Sequence, residues 1–567
     1  MYLDKFNAGP LPHKRILSHS RTGIYSIIHF GLNTYTGREW GYGNEDPALF
    51  DPGNFNAEEI ASLCKETGMD GLILVCKHHD GFCLWPTKTT DHNISKSPFR
   101  GGKGDLVREF ADACKKVGIR MGFYVSPWDR NSPYYGTEKY LSLYREQLRE
   151  IFSSYGPAFE AWFDGANGGD GYYGGACETR KIDHETYYDW ENTWQIVREL
   201  QEDAAIFSDA GPDLRWAGNE KGLAHTDAFS CYTPHSPLGK DHAPVPGGTI
   251  GKEGEKGHGN GAYFMPVECD VPLRLGWFHH ESHKGTRKSL RKLVEMYFHS
   301  VGVGGFLNLG LAPSQEGTMD EEDAAMLREF KKFRDSLFAS PQGSFTFDLA
   351  GEKSKVIALG KETTFNFFEM AEGPAEKGEK ILSYTLSGRK KGGEWETIVE
   401  GEAVGRRRMK YLEKEVKAEE LLLTIHDYRE ELPETFSIAL YQAPPLPEEE
   451  PPSENEPRYF PTEVKGKVAT VDLRGEKRVK TILFIPHSSM CPGVPDLYKL
   501  EVSSDGINYT TLVEQGEFSN LRANPVPQAI PMQGGERKIA FCRFTALRYL
   551  IEGEEIAFWK IGFLIKR

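Results

Sequence analysis

NAEEIASLCKETGMDGLILVCKHHDGF, residues 56–82, holds one complete helix-to-strand step. Asn56 can accept an amide hydrogen bond at a helix start. Ile60, Leu63 and Cys64 recur at helical spacing, and Gly68 ends the helix. Gly71–Cys76 is then an apolar run too short for a helix, which suits a strand buried on both faces. The next step repeats the pattern: Asp105 caps a helix that buries Val107, Phe110, Ala111, Cys114 and Val117 and stops at Gly118, and the run Arg120–Ser126 follows. Working outward, similar runs occur at Tyr25–Phe30, Ala158–Phe163, Ala204–Ser208, Ala228–Tyr232, Leu273–Phe278 and Gly305–Leu309. Eight βα units in about 330 residues predict an α/β fold, a (β/α)8 TIM-like barrel over residues 1–340. A doubly wound sheet is the rival, but no Gly-rich phosphate loop follows the first strand.

Beyond residue 340 the helical periodicity fades and short alternating strands take over, which predicts two β-sandwich domains at 341–443 and 458–567. Between them APPLPEEEPPSENEP (443–457) is too rich in Pro and Glu to pack or to hold a ladder, so 444–457 reads as a linker. The flanking segments echo each other. EWETIVEGE (394–402) matches NYTTLVEQGE (508–517), aligning Trp395 with Tyr509, Thr397 with Thr511, Val399 with Val513 and Glu400 with Glu514.

A net charge of −15 without a basic stripe argues against a nucleic-acid partner. No uncharged apolar run approaches the roughly 20 residues of a membrane span. Aromatic residues make up 12% of the chain. They suit stacking on sugar faces, and equally the strands of a β-rich protein. The nine cysteines contain no CxxC and several sit in apolar runs, so neither a disulfide framework nor a zinc ribbon is expected. The N-terminus lacks a basic-then-apolar leader pattern. That leaves a cytoplasmic protein, or an extracytoplasmic one whose leader has been removed.

In a barrel of this kind, residues just past the strand ends meet at one mouth. There the chain places His29, Glu39 and Trp40 (HFGLNTYTGREWG, 29–41), His78 and His79, Tyr124, Asp164, Glu220 and Trp277. Carboxylates, imidazoles and large aromatics without a nucleophilic serine suit cleavage at an acetal carbon. A retaining glycosidase needs one ionised and one protonated carboxyl. Asp164, after Ala161-Trp162-Phe163 and before Gly165, is the nucleophile candidate; the same residue also reads as a turn aspartate. Glu220, between Trp216 and Gly222, is the acid/base candidate, since aromatic neighbours raise a carboxyl's pKa. Glu268 in FMPVECD (264–270) is its rival near the same mouth. Consecutive side chains leaving a strand diverge, so His78 and His79 are not expected to share a metal.

KHHDGFCLWPT (77–87), AWFDGANG (161–168), RWAGNEKG (215–222) and GWFHH (276–280), in that order, resemble family 29 of the glycoside hydrolases, the retaining α-L-fucosidases. The resemblance spans roughly residues 20–335 and runs into the first sandwich. It implies Asp164 as the nucleophile. It places His29, Trp40, His78, His79 and Tyr124 in a fucose pocket with Glu39 near them, and Trp277 beside the sugar's C5 methyl group. GNEKG resembles the subgroup selective for α1,3/1,4-linked fucose, which selects Glu220. The partner implied is a fucosylated oligosaccharide or glycoconjugate, with no metal or organic cofactor. Two segments depart from the family pattern: GGDGYYGGACETRKIDHET (168–186) and 234–261 look like expanded loops on the leaving-group side. The last module resembles discoidin-like sandwiches, a candidate carbohydrate-binding unit. The alternatives are a catalytically silent glycan-binding protein and a barrel metallohydrolase using His29, Asp80 and one of the two histidines.

Overall fold

A computed structural model describes residues 2–566 apart from 8, 20, 168, 184–185, 209–210, 235–250, 450–456, 488–490, 519–520, 522–526 and 533. Eight parallel strands close a barrel: β1 Ile24–Ile28, β2 Gly71–Lys77, β3 Arg120–Val125, β4 Ala158–Trp162, β5 Ala205–Ser208, β6 Leu214–Trp216, β7 Val267–Pro272 and β8 Phe306–Leu311. They pair in chain order, and β8 closes on β1 through Ile24↔Leu307 to Ile28↔Leu311. The helices form as their apolar spacing dictates. In α1, Ala57–Glu66, the Asn56 side chain accepts the Glu58 amide, and Ile60, Leu63 and Cys64 are buried. In α2, Leu106–Val117, Asp105 caps the Arg108 amide and Gly118 ends the helix in the left-handed region at φ 76°.

Two of the eight expected strands lie elsewhere. Ala228–Tyr232 supplies only the stub Cys231–Tyr232, which pairs antiparallel with Tyr263–Phe264 outside the barrel. The sixth strand is instead the three-residue β6, whose Arg215 is fully buried and donates to the carbonyls of Gly254 and Phe229. Leu273–Phe278 is the loop that follows β7 and not a strand. The true seventh strand, VECDVP, carries two acids and a proline, so its sequence lacks the apolar run of a buried parallel strand. Between β5 and β6 there is no helix among the described residues, so the count of βα units falls short of eight.

Six antiparallel strands within Pro341–Tyr441 form a second sheet, and eight within Arg458–Lys566 form a third. The echoing segments occupy the same place in both: Glu396–Gly401 and Thr510–Glu517 each end their sheet's strand order. Each neighbouring aromatic carries an arginine over its ring, Arg389 on Trp395 at 4.2 Å and Arg543 on Tyr509 at 3.9 Å. Residues 444–449 hold no regular structure, and 450–456 of the expected linker lie outside the described residues. The second sheet packs on the barrel, because Phe367, Met409 and Ala443 join the barrel's apolar cluster. Arg408 donates to the carbonyls of Thr226 and Ala228 at 3.0 and 2.9 Å. The third sheet has its own core around Val471, Phe484 and Phe544. Among the described residues no helix is long and apolar enough to cross a membrane.

Candidate active site

A pocket of about 280 Å³ opens at the carboxyl ends of the barrel strands. It lies near the lower end of ligand pockets, roughly 300–1,000 Å³, which suits one sugar ring better than a chain. His29, Trp40, His78, His79, Asp164, Glu220 and Trp277 all line it, as expected for a shared mouth. Trp162, Phe207, Trp216 and Asp270 line it too.

His78 and His79 do not diverge. They lie just past the end of β2, where strand alternation no longer applies, and their rings approach to 4.1 Å on the same pocket wall. His79 Nδ1 pairs with Ser126 Oγ at 2.7 Å, and its Nε2 lies 3.6 Å from Asp164 Oδ2. Burial holds both imidazoles well below their ordinary range, and it lowers His29 to about 3 against the pull of Glu39. Three neutral imidazoles therefore face the pocket, each able to give or take a hydroxyl hydrogen bond.

Asp164 sits at the end of β4, where Gly165 continues the chain. Its Oδ1 accepts the Ala166 amide at 2.7 Å and its Oδ2 the Tyr124 hydroxyl at 3.2 Å. Burial raises this carboxyl above its usual range, and those two donors oppose the shift. Tyr124 thus stands behind Asp164 and is absent from the pocket lining. Glu220 follows β6. Its outer side meets solvent, yet protein walls surround it. Loss of bulk solvation pushes its carboxyl up to about 7; the Asp164 and Glu39 charges add to this, while the Trp277 indole and Lys288 oppose it.

Glu39 is also outside the lining. It pins the loop after β7, accepting the amides of Trp277 at 2.8 Å and Phe278 at 3.3 Å and pairing with His280 Nε2 at 2.7 Å. That clamp sets Trp277 on the wall, 5.0 Å from the His29 ring. Phe278 sits behind, edge-on to His29 and His78. Glu268 lies deeper than a mouth residue. It is on β7, wholly buried beneath the lining, with its carboxylate facing Trp162, Tyr25 and Asn308.

Asp270 and Lys288 escaped the sequence reading. The sequence puts the seventh strand at Leu273–Phe278, which leaves Asp270 ahead of it. In the strand it lines the pocket, and burial, then the charges of Glu220 and Glu268, push its carboxyl well up. Lys288 donates to the carbonyls of Pro272 and Arg274, and burial lowers its ammonium to about 8 against the attraction of Glu220. Among the described residues three buried groups have the composition to hold a metal ion: Glu39/His280/His283, His19/Glu160/Glu268 and Glu45/Asp80/His92. None contains His29, His78 or His79, the imidazoles on the pocket wall.

A closed parallel barrel whose mouth gathers three carboxyls, neutral imidazoles and indoles around a sugar-sized pocket has the build of a glycoside hydrolase. The family model described as Alpha-L-fucosidase matches residues 18–335, and the chain belongs to that family. Alpha-L-fucosidase 1 of Arabidopsis thaliana is 35% identical over 454 residues, covering 74% of this chain and 85% of that protein. The putative alpha-L-fucosidase 1 of Oryza sativa is 33% identical, covering 70% and 79%. Among solved structures, a glycoside hydrolase 29 family member from an unknown rumen bacterium superposes with TM-score 0.72 at 34% identity, covering 98% of this chain and all of that one. A Ruminococcus gnavus fucosidase solved in complex with fucose matches with TM-score 0.65 at 26% identity, over 76% and 95% of the two chains.

Proposed function

We propose that this protein hydrolyses terminal α-linked L-fucose from oligosaccharides or glycoconjugates with retention of configuration, and that its preferred linkages are α1,3 and α1,4. The observation that carries the reading is the placement of Asp164 and Glu220 in one pocket, with Glu220 poised to be protonated near neutral pH. Asp164 attacks the anomeric carbon while Glu220 gives its proton to the departing glycosidic oxygen. The covalent fucosyl ester is then opened by water, which Glu220, now a carboxylate, deprotonates. His29, His78 and His79 hold the sugar's hydroxyls, and Trp40 and Trp277 cover its apolar edges. The Tyr124 hydroxyl bond steadies the Asp164 carboxylate between attacks.

The test is release of free L-fucose from three substrates: an aryl α-L-fucoside, a Lewis-type trisaccharide and a 2′-fucosylated oligosaccharide. The first two should be cleaved readily and the third far more slowly. Preference for the 2′-linked sugar would overturn the linkage assignment. Release of no fucose from any of them would overturn the activity.

A further inference from the structure

Residues two apart on a strand face the same side, and on β7 both Glu268 and Asp270 turn into the barrel. Glu268 Oε1 accepts the Trp162 indole N–H at 2.8 Å and the Asn308 amide at 2.9 Å, and Oε2 accepts the Tyr25 hydroxyl at 2.5 Å. Asp270 Oδ1 accepts the Trp216 indole N–H at 2.6 Å. Both indoles line the pocket. One strand therefore anchors two of its aromatic walls by their only polar atoms.

The Trp162 ring stacks on Phe207 at 4.4 Å and 16°, a contact that sets the plane of the ring, while the N–H bond to Glu268 fixes its edge. The opposite neighbour is the Tyr124 ring at 5.2 Å, whose hydroxyl donates to Asp164. A displaced Trp162 would thus disturb both the sugar floor and the support of the nucleophile.

The clamp puts a carboxyl acceptor inside a closed core, where a lone carboxylate is costly. Three donors converge on Glu268, and a second carboxyl, Glu160, lies against it. Atoms of Glu160, His19 and Glu268 come within 4.8 Å of one another, and His19 Nε2 is 3.2 Å from Glu160 Oε2. Burial and the Glu268 charge push Glu160 well up. Burial also raises Glu268, but the hydrogen bonds of Glu160, Tyr25, Trp162 and Asn308 oppose it. The three donors favour charge on Glu268, and that charge in turn disfavours a second one on Glu160.

We propose that Glu268 is a positioning residue of the sugar pocket: it locks the Trp162 indole in plane, as Asp270 locks Trp216. This rests on the reading of the pocket as the fucose site.

The experiment uses the full chain with Glu268→Met, which keeps length and removes the acceptor, Trp162→Phe, which keeps the stack and removes the N–H, and the double variant. Folded Glu268→Met should raise KM for an aryl fucoside, and the inhibition constant of free L-fucose, by about tenfold, the cost of an unpaired buried donor. Trp162→Phe should act in the same direction. The double variant should be no worse than Glu268→Met, because the bond that Trp162→Phe removes is already absent there. Glu160→Gln, which keeps a donor beside Glu268, should raise KM less than Glu160→Leu. Should Glu268→Met fail to fold, Glu268→Leu, which also removes the acceptor, takes its place in the same cycle.

The near-ultraviolet circular dichroism that Trp162 contributes, obtained by difference from Trp162→Phe, reads the clamp without substrate and should collapse in the Glu268 variant. A wild-type protein that releases no fucose would strike the functional reading alone, and this signal would still judge the clamp. A folded Glu268 variant with unchanged KM, fucose inhibition and Trp162 signal overturns the proposal. So does a double variant whose effects add in full.

Discussion

Asp164 and Glu220 share a pocket but differ in what holds them. Asp164 is fixed by an amide and a phenol, while Glu220 stands at the mouth beside an indole. Asp164→Ala should therefore keep its melting temperature yet lose turnover by at least about 10³-fold, the scale of removing a covalent nucleophile. Azide should restore part of it and give a fucosyl azide of inverted configuration. The same pair sets the pH profile. Glu220 must hold its proton to act as the acid, so kcat/KM should fall as pH rises through about 7. Asp164 must be ionised, so the rate should also fall on the acid side as that raised carboxyl takes up a proton. Glu220→Gln, assayed on a nitrophenyl fucoside whose leaving group scarcely needs protonation, should lose the alkaline limb. A limb that survives in that variant belongs to another group. These side chains were legible in the sequence because each follows a strand end, where chemistry-bearing residues stand out from apolar runs. Asp270 was not, because its place depends on which residues form β7. Glu268 was legible as a carboxylate, but its depth was not.

The elements show the same boundary between pattern and context. Strands β1 to β5 and β8 announce themselves as apolar runs, and α1 and α2 by cap, stripe and terminal glycine. β6 and β7 do not. Their buried polar side chains are Arg215, Glu268 and Asp270, satisfied by partners distant in sequence, and no local rule predicts a polar residue with such partners. Trp277 and Phe278, which looked like a strand end, belong to a loop held by Glu39. Glu39→Ala leaves two amides and the His280 ring without an acceptor, which should cost about 1–3 kcal/mol. Thermal melting should show the loss, and KM for a fucoside should rise as Trp277 drifts. Burial opposes the Glu39 charge, but the His280 bond and the loop amides hold its pKa below the ordinary 4.5. A depressed folded pKa gives stability that is present above the unfolded value and lost as pH falls through the folded one. Wild type should therefore lose more of its Tm below about pH 4.5 than Glu39→Ala does.

At the scale of the molecule, the barrel cannot be separated from the sheet that follows it. Phe367 and Met409 complete the barrel's own cluster, and Glu379 accepts the Ser230 amide and hydroxyl within that contact. The second sheet also has a core of its own, but the third is different, since none of its described apolar residues joins the barrel's cluster. A chain ending at Glu449 should keep kcat/KM for an aryl fucoside within about twofold of the full chain, as expected for units whose described apolar clusters are separate. One ending at Ser340 should be insoluble or unfolded, having exposed the face that Phe367 covers. Soluble expression and activity of the two truncations check both statements. That order of dependence was half legible: the change of texture near residue 340 shows a new unit, but not that its apolar residues complete the older core. What joins all three scales is the claim that Asp164 forms a covalent fucosyl intermediate. The direct measurement is proton nuclear magnetic resonance of the first product during hydrolysis of an aryl α-L-fucoside, before mutarotation. Double displacement at Asp164 and Glu220 predicts α-L-fucose as the first-formed anomer; β-L-fucose appearing first would contradict it.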